Sequence, residues 1–216
     1  MDANRASLRN LYPKTITTPQ KMPYSANILD KLVLGILESL LPLSVIDIGA
    51  GAGKYGTMIK QSQVLNNCRL TGVEIDETYI QEYALEQIYD EVINSDALAL
   101  IDHPSTRADL VIIGDCIEHL RKSDGQDLIE FLLYRSSHVL IIYPQNLPQD
   151  DWEGHAQEAH ISIWNKSSFC HLDAIHYEHN MGDWSMNIAL IKGCMPSPMN
   201  IKSISSELIH YTRNWG

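Results

Sequence analysis

The stretch Val45-Ile46-Asp47-Ile48-Gly49-Ala50-Gly51-Ala52-Gly53-Lys54-Tyr55-Gly56 decides the fold. A short apolar strand reaches an acidic residue, breaks into glycines and runs toward a helix. Glycines at such a bend let backbone N–H groups approach a ligand that a Cβ would hold away. Gly51, Gly53 and Gly56 satisfy the G-x-G-x-x-G spacing of pyrophosphate binders. Asp47, two positions before Gly49, points elsewhere: a carboxylate beside the loop repels a pyrophosphate and suits a cationic amino-acid group.

Working outward, strand and helix signals alternate. Ile28, Leu29, Leu32, Val33, Ile36, Leu37 and Leu40 form a helical stripe over 26–41, with Ser25 or Asn27 as cap and Pro42 as stop. Strands are expected at 44–48, 68–75, 91–96, 109–114 and, closed by Pro144, 138–143. Helices are expected at 55–63, 77–87 and 124–134. The runs 174–179 and 186–192, joined by Met181-Gly182-Asp183, have no helix between them and read as a hairpin. The pattern predicts an α/β domain over 26–193: a mostly parallel sheet, helices on both faces, one antiparallel strand at its C-terminal end. Residues 1–25, punctuated by Pro13, Pro19 and Pro23, read as an N-terminal arm, and 194–216 as a C-terminal tail.

The 216 residues suffice for one such domain. No apolar run approaches the roughly 20 residues that span a bilayer, and the first residues lack a signal-peptide core. Sixteen Lys and Arg against 27 Asp and Glu give a net charge of −11, which disfavours nucleic acid as partner, and no basic run opposes that. Cys68, Cys116, Cys170 and Cys194 are far apart and read as buried reduced thiols of a cytoplasmic protein. Oligomeric state is not encoded in any of these signals.

Ligands of open parallel sheets bind beyond the carboxyl ends of the strands, where chain direction switches. Gly49, Ala50, Gly51 and Gly53 follow the first strand there. Glu74 ends the second, where a carboxylate can accept both hydroxyls of a ribose. Asp96 ends the third and can meet an adenine amino group, with Ile75 and Ala97 against the ring faces. Asp115 ends the fourth. The segments Asp47–Gly53, Gly72–Asp76, Ser95–Leu98 and Asp109–Leu120 resemble the successive motifs of class I S-adenosylmethionine (SAM)-dependent methyltransferases, and the terminal hairpin matches too. The resemblance covers about residues 26–193. It implies a Rossmann-like seven-stranded sheet and SAM held by the loop, Asp47, Glu74, Ile75, Asp96, Ala97 and Asp115. It does not imply an acceptor.

After the fourth strand, Asp115, Glu118 and His119 share one face if Gly114-Asp115-Cys116-Ile117-Glu118-His119-Leu120 opens a helix. A loop after the fifth strand would bring His160, in His160-Ile161-Ser162-Ile163-Trp164, opposite His119. Three readings stay open. His119 or His160 is a general base for a substrate hydroxyl. Asp115, Glu118, His119 and His160 hold one Mg²⁺, Mn²⁺ or Zn²⁺. Glu118 and His119 only satisfy each other or nearby backbone. The pattern resembles two metal-dependent groups, one methylating the terminal 2′-hydroxyl of small RNAs, the other methylating catechol-like quinone precursors. Asp115 stands where those groups carry Glu, a shorter ligand. Tyr12, Met22, Tyr24, Trp152 and Trp164 are candidates for a lid.

The sequence thus predicts a SAM-dependent methyltransferase acting on a small molecule, with a hydroxyl oxygen as acceptor. Its alternatives are a metal-dependent RNA 2′-O-methyltransferase and, in another class, an NAD-dependent oxidoreductase favoured by Gly51-x-Gly53-x-x-Gly56. A Tyr-x-x-x-Lys dyad that would support the last is missing. A third class, a non-catalytic scaffold, would be expected to carry a damaged glycine loop, and this loop is intact.

Overall fold

The computed structural model describes residues 26–103, 105–151, 155–199, 201, 203 and 204. The expected arm, with Ser25, Tyr12, Met22 and Tyr24, lies outside these residues, as do Trp152 and most of the expected tail. Eleven elements organise the chain. They are α1 (Asp30–Leu40), β1 (Ser44–Ile48), α2 (Lys54–Gln61), β2 (Arg69–Glu74), α3 (Glu77–Glu82), β3 (Glu91–Asn94), β4 (Ala108–Gly114), α4 (Lys122–Arg135), β5 (Ser136–Gln145), β6 (Ala174–Asn180) and β7 (Ser185–Lys192), with short 3₁₀ turns between them. The strands form one seven-stranded sheet in the order β3-β2-β1-β4-β5-β7-β6. β3, β2, β1, β4 and β5 are parallel, and β7 is antiparallel to both β5 and β6. The antiparallel strand is therefore inserted beside the edge, and β6 forms the edge itself.

Period-two alternation divides the strands between two cores. Val45, Leu110, Ile112, Leu140 and Ile188 pack with α1 and α2. Ile46, Val111, Ile113, Ile141 and Ala189 pack with α4 on the opposite face. Because both faces are covered, the central strands read as continuous apolar runs. The first core continues past residue 193, since Met199 packs against it and Ile201 and Ile204 are buried within it. Pro196 and Pro198 interrupt the apolar pattern there, so spacing alone could not extend the domain.

Several local expectations change. α1 has no side-chain cap: Asn27 opens a 3₁₀ turn and Leu29 occupies the cap position. The expected helix over 77–87 breaks after α3. Ala84 takes a left-handed conformation (φ 50°), and Leu85–Gln87 form a 3₁₀ turn that puts Leu85 fully in the core. Pro144 does not close β5. It pairs with Met186 of β7 after the pairing with β4 has ended at Gly114↔Ile142, so its missing N–H breaks no ladder. All four cysteines are free thiols, but Cys170 and Cys194 are exposed, so burial is not what unites them.

The glycine loop has a structural logic beneath its ligand-facing one. Gly49, Gly51 and Gly53 all have positive φ, which carries the chain from β1 into α2 without strain. Gly56 serves packing instead: a Cβ there would lie 2.6 Å from Tyr89 Cζ. Tyr89 fills that space and donates a 2.6 Å hydrogen bond to Asp47 Oδ2. Asp47, expected among the cofactor contacts, is buried at the end of β1 and does not line the cavity described below. Burial pushes its pKa from 3.8 up to about 7, against the opposing pull of the Tyr89 hydrogen bond.

That shift has a thermodynamic consequence. The folded chain holds the Asp47 proton between about pH 4 and 7 while the unfolded chain releases it. The contribution to stability is full below pH 3.8 and is lost as pH rises to about 7. At roughly 1.4 kcal/mol per unit this is on the order of 4 kcal/mol. Asp47→Asn, which cannot ionise, should become progressively more stable relative to the native chain between pH 5 and pH 8. Urea unfolding at both pH values measures the difference, and a pH-independent gap would refute the shift.

Candidate functional site

One cavity of about 420 Å³ opens at the carboxyl ends of the parallel strands. It sits where β1 is flanked by β2 on one side and β4 on the other, the point at which the connections diverge. Gly49, Ala50 and Gly51 form its floor, with Glu74, Ile75, Asp96 and Ala97 toward β2 and β3. Asp115, Glu118 and His119 face them from beyond β4, and Leu147, Glu158 and His160 come from the segment after β5. Of the expected cofactor contacts, Asp47 and Gly53 alone lie outside the wall. Gly53 caps α2 and packs on Ile88, where a Cβ would stand 2.5 Å away.

Glu74 fastens the β2 side of the cavity. Its Oε2 accepts the Gly51 N–H at 2.7 Å and its Oε1 accepts the Asp76 N–H at 2.9 Å, so the carboxylate sets the shape of the glycine loop. Burial raises its pKa, and the two backbone donors oppose that rise. Each oxygen retains lone-pair capacity for a ligand hydroxyl. Asp96 Oδ1 caps the 3₁₀ turn Ala97–Asp102 by accepting the Leu98 N–H at 2.9 Å. Ile75 is exposed, whereas Ala97 packs partly on the second core. The pyrophosphate motif is only formal, because its third glycine makes room for Tyr89.

The chemistry side differs in local form from the expected helix. Asp115 has φ 46°, and only Ile117–His119 form a single 3₁₀ turn. Backbone stitching then brings distant segments together. The Glu118 carbonyl accepts the N–H groups of Ile161 at 2.9 Å and Ser162 at 3.1 Å. Trp164 Nε1 donates to the Ile117 carbonyl at 3.1 Å. Trp164 is no lid: it is buried, stacked on Phe169, with Lys122 Nζ 3.4 Å from its ring centroid. This seam sets the His119 and His160 rings 5.0 Å apart, edge to face.

Both imidazoles are oriented from behind. His119 Nδ1 lies 3.1 Å from the Ala159 carbonyl, and His160 Nδ1 lies 2.7 Å from the Leu147 carbonyl. A carbonyl can only accept, so each Nδ1 carries hydrogen and each neutral ring keeps an Nε2 lone pair. Desolvation lowers both pKa values below 6.5, which the carbonyl contacts only partly offset. Glu118 is 2% exposed; Oε1 lies 3.9 Å from His160 Nε2, and Oε2 accepts no hydrogen bond among the described residues. Burial, reinforced by the charge of Asp115, pushes the Glu118 carboxyl well above the usual range.

One ligand atom each from Glu118, His119 and His160 can be chosen within 4.8 Å of one another. Asp115, the fourth expected ligand, is not part of that set: its positive-φ backbone separates it from the turn bearing the other two. The site also contains residues that spacing did not single out. Tyr79, Gln149, Gln157 and Trp184 line the cavity. Tyr79 Oη donates to Glu158 Oε1 at 3.3 Å, and Gln149 Nε2 donates to the Glu158 carbonyl at 2.7 Å. Their partners lie 79 and nine positions away, and no periodic signal marks them.

No protein-family model matches the chain, nor does any curated protein. Solved structures do. The N-terminal domain of EvdMO1 with SAH bound aligns at a TM-score of 0.58 and 12% identity, over 79% of this chain and 83% of that one. The methyltransferase domain of bacterial CtHen1-C aligns at 0.55 and 16%, over 76% and 96%. The plantazolicin methyltransferase BpumL in complex with SAH aligns at 0.54 and 17%, over 76% and 84%. At these identities the likeness speaks for the fold. Strand order, the single antiparallel strand and these neighbours together establish that the chain has the class I methyltransferase fold.

Proposed function

We propose that the protein is a SAM-dependent methyltransferase that transfers the methyl group to a hydroxyl oxygen of a small-molecule acceptor. One observation carries this reading: a single cavity joins the glycine loop, Glu74 and Asp96 to the imidazoles of His119 and His160. The first set suits the loop-facing, ribose and adenine parts of SAM. The second lies on the β4 and β5 side, where the acceptor oxygen would approach. Among the described residues no helix is long and apolar enough to cross a membrane. We place the enzyme in the cytoplasm, in keeping with its four free thiols.

Methyl transfer needs alignment and exclusion of water more than covalent help. The oxygen attacks in line as positive charge leaves sulfur, and its proton must go to a base. His119 Nε2 or His160 Nε2 can take it, because the Nδ1 contacts hold each ring in the accepting tautomer. Lowered pKa values keep both rings neutral at pH 7. Cys116 also borders the cavity, but burial pushes its thiol up, so it is a poor nucleophile at that pH.

A second reading adds a divalent ion, favoured by the Glu118, His119 and His160 set. The residues fit such an ion: a buried carboxylate oxygen lacks a partner, and both imidazoles are oriented through Nδ1 as metal-bound histidines are. Glu118, His119 and His160 would hold it, and it would supply Lewis acidity that lowers the pKa of the acceptor hydroxyl. The carboxylates of the cavity wall disfavour a polyanionic RNA acceptor under either reading.

In calorimetry, SAM and its demethylated product SAH should bind the purified chain while NADH should not; NADH binding alone would sink the proposal. His119→Asn and His160→Asn should be screened with hydroxyl acceptors by SAH release. Loss of the base should lower kcat about a hundredfold or more, with little change in SAM affinity. The acid limb of kcat/KM should fall below pH 6.5; a limb above that value would exclude both imidazoles. For the second reading, dialysis against EDTA should abolish turnover and Mg²⁺, Mn²⁺ or Zn²⁺ should restore it. Unchanged turnover in metal-free protein would leave the base alone.

A further inference from the structure

Residues 155–160, in the segment after β5, touch the β2–α3 corner at one end and the turn after β4 at the other. At the first end stands Asp76, which follows β2 and caps α3 by accepting the Thr78 N–H on Oδ1 at 2.8 Å. Its Oδ2 accepts Gln157 Nε2 at 2.9 Å and lies 3.2 Å from His155 Nδ1. Tyr79 of α3 adds its hydroxyl on Glu158 Oε1. At the second end His119 Nδ1 meets the Ala159 carbonyl, and the N–H groups of Ile161 and Ser162 meet the Glu118 carbonyl.

Sheet order makes this path a bridge. β1 lies between β2 and β4, so a segment fastened beyond both crosses the end of β1, where Gly49, Ala50 and Gly51 lie. Strand spacing puts β2 and β4 about 10 Å apart. Residues 155–160, with a 3₁₀ turn at Ala156–Glu158, are long enough to cover that span. Gln157, Glu158 and His160 line the same cavity as the glycines, so the bridge faces inward. Its two ends are fastened unequally. The β4 end is stitched by backbone groups, whereas the β2 end grips through side chains, with His155 half-buried and Gln157 exposed. Water can replace those surface hydrogen bonds when they part, so the β2 end is the one that opens.

We propose that residues 155–160 are a strap that encloses the cofactor, and that Asp76 with His155 and Gln157 is the latch that parts for the cofactor to enter or leave. This inference rests on the methyl-transfer reading, which seats SAM against the glycine loop and Glu74, beneath the strap. SAH forms at each turnover and has to leave, so opening of the strap is a step in every cycle. Closed, the strap keeps water from the cavity during transfer. Glu74 ties the latch to the loop: its Oε1 accepts the Asp76 N–H and its Oε2 the Gly51 N–H, so one carboxylate fixes the backbone of both. Neither Asp76 nor His155 lines the cavity. Changing them therefore releases the latch without removing a contact to the ligand.

Rapid-mixing measurements of SAH association with the full chain, and of its dissociation, test the strap. Asp76→Ser keeps a hydroxyl for the Thr78 N–H, so α3 stays capped, but is too short to hold Gln157 and His155. Opening precedes both entry and exit, so this variant should raise both rate constants about tenfold and move Kd by less than either. His155→Ala leaves the cap untouched, should shift both rates the same way by a smaller factor, and decides the question on its own should Asp76→Ser not fold. Unchanged rates overturn the proposal. So does faster dissociation with unchanged association, which is lost affinity without a gate. Failure of the unaltered chain to bind SAH is seen first and overturns the methyl-transfer reading on which the strap rests.

Discussion

Burial of carboxylates at one edge of the sheet is the constraint on which the rest of this structure depends. Removing a charged carboxylate from water costs several kcal/mol unless donors or a counter-ion replace the lost solvation. Four acidic side chains accept that burial here, Asp47, Glu74, Glu118 and Glu158, and each is managed differently. Asp47 takes the Tyr89 hydroxyl on Oδ2, leaves Oδ1 without a hydrogen-bond partner among the described residues, and has its pKa raised by burial to about 7. Glu74 takes two backbone N–H groups and in doing so shapes the glycine loop. Glu158 takes one long hydrogen bond from Tyr79. Glu118 is left with an oxygen that has no hydrogen-bond donor. Incompletely satisfied groups in the cavity wall are the ones that a ligand can complete.

Placement of these groups follows from strand polarity. In a parallel sheet every strand delivers its C-terminal residue to the same edge, so Glu74, Asp96 and the residues after β4 converge without any local sequence signal linking them. That is why the convergence of these residues on one edge was legible. A carboxylate at the end of an apolar run can be read once the run is known to be a strand, and four such runs in succession fix the edge. The apolar continuity of 109–113 and 138–143 announced burial on both faces, and both cores are indeed built by alternation along those strands.

What resisted reading was set by contacts between segments far apart in sequence. Gly56 completes a pyrophosphate motif on paper, yet its reason is Tyr89, 33 positions later, which needs the space to reach Asp47. Trp164 looks like a mobile aromatic until the Lys122 ammonium and the Ile117 carbonyl are seen to hold it in the core. The break at Ala84 is a tertiary override of a fair helical pattern: continuing α3 would have carried Leu85 away from the core that it fills. Asp115, Glu118 and His119 share i, i+3 and i+4 spacing, but a positive φ at Asp115 cancels the helical geometry that gave the spacing meaning.

The pairing of His119 with His160 shows how backbone precision is transmitted to a reactive group. Neither ring is positioned by another side chain alone. Each is referred to a carbonyl, Ala159 for His119 and Leu147 for His160, and the loop carrying those carbonyls is fastened to the Glu118 carbonyl by two N–H groups. The arrangement is reciprocal, because the loop that orients His119 is anchored by the residue next to His119. A displacement of either segment would loosen both rings together. Accuracy at the two Nε2 atoms is therefore a property of the seam between the turn after β4 and the loop after β5. That seam is compatible with proton transfer and with metal ligation alike, since both require a neutral imidazole with one lone pair aimed into the cavity. What distinguishes the two chemistries is Glu118. Its desolvated carboxyl is pushed toward the neutral form when alone, and only a nearby positive charge can make it a ligand.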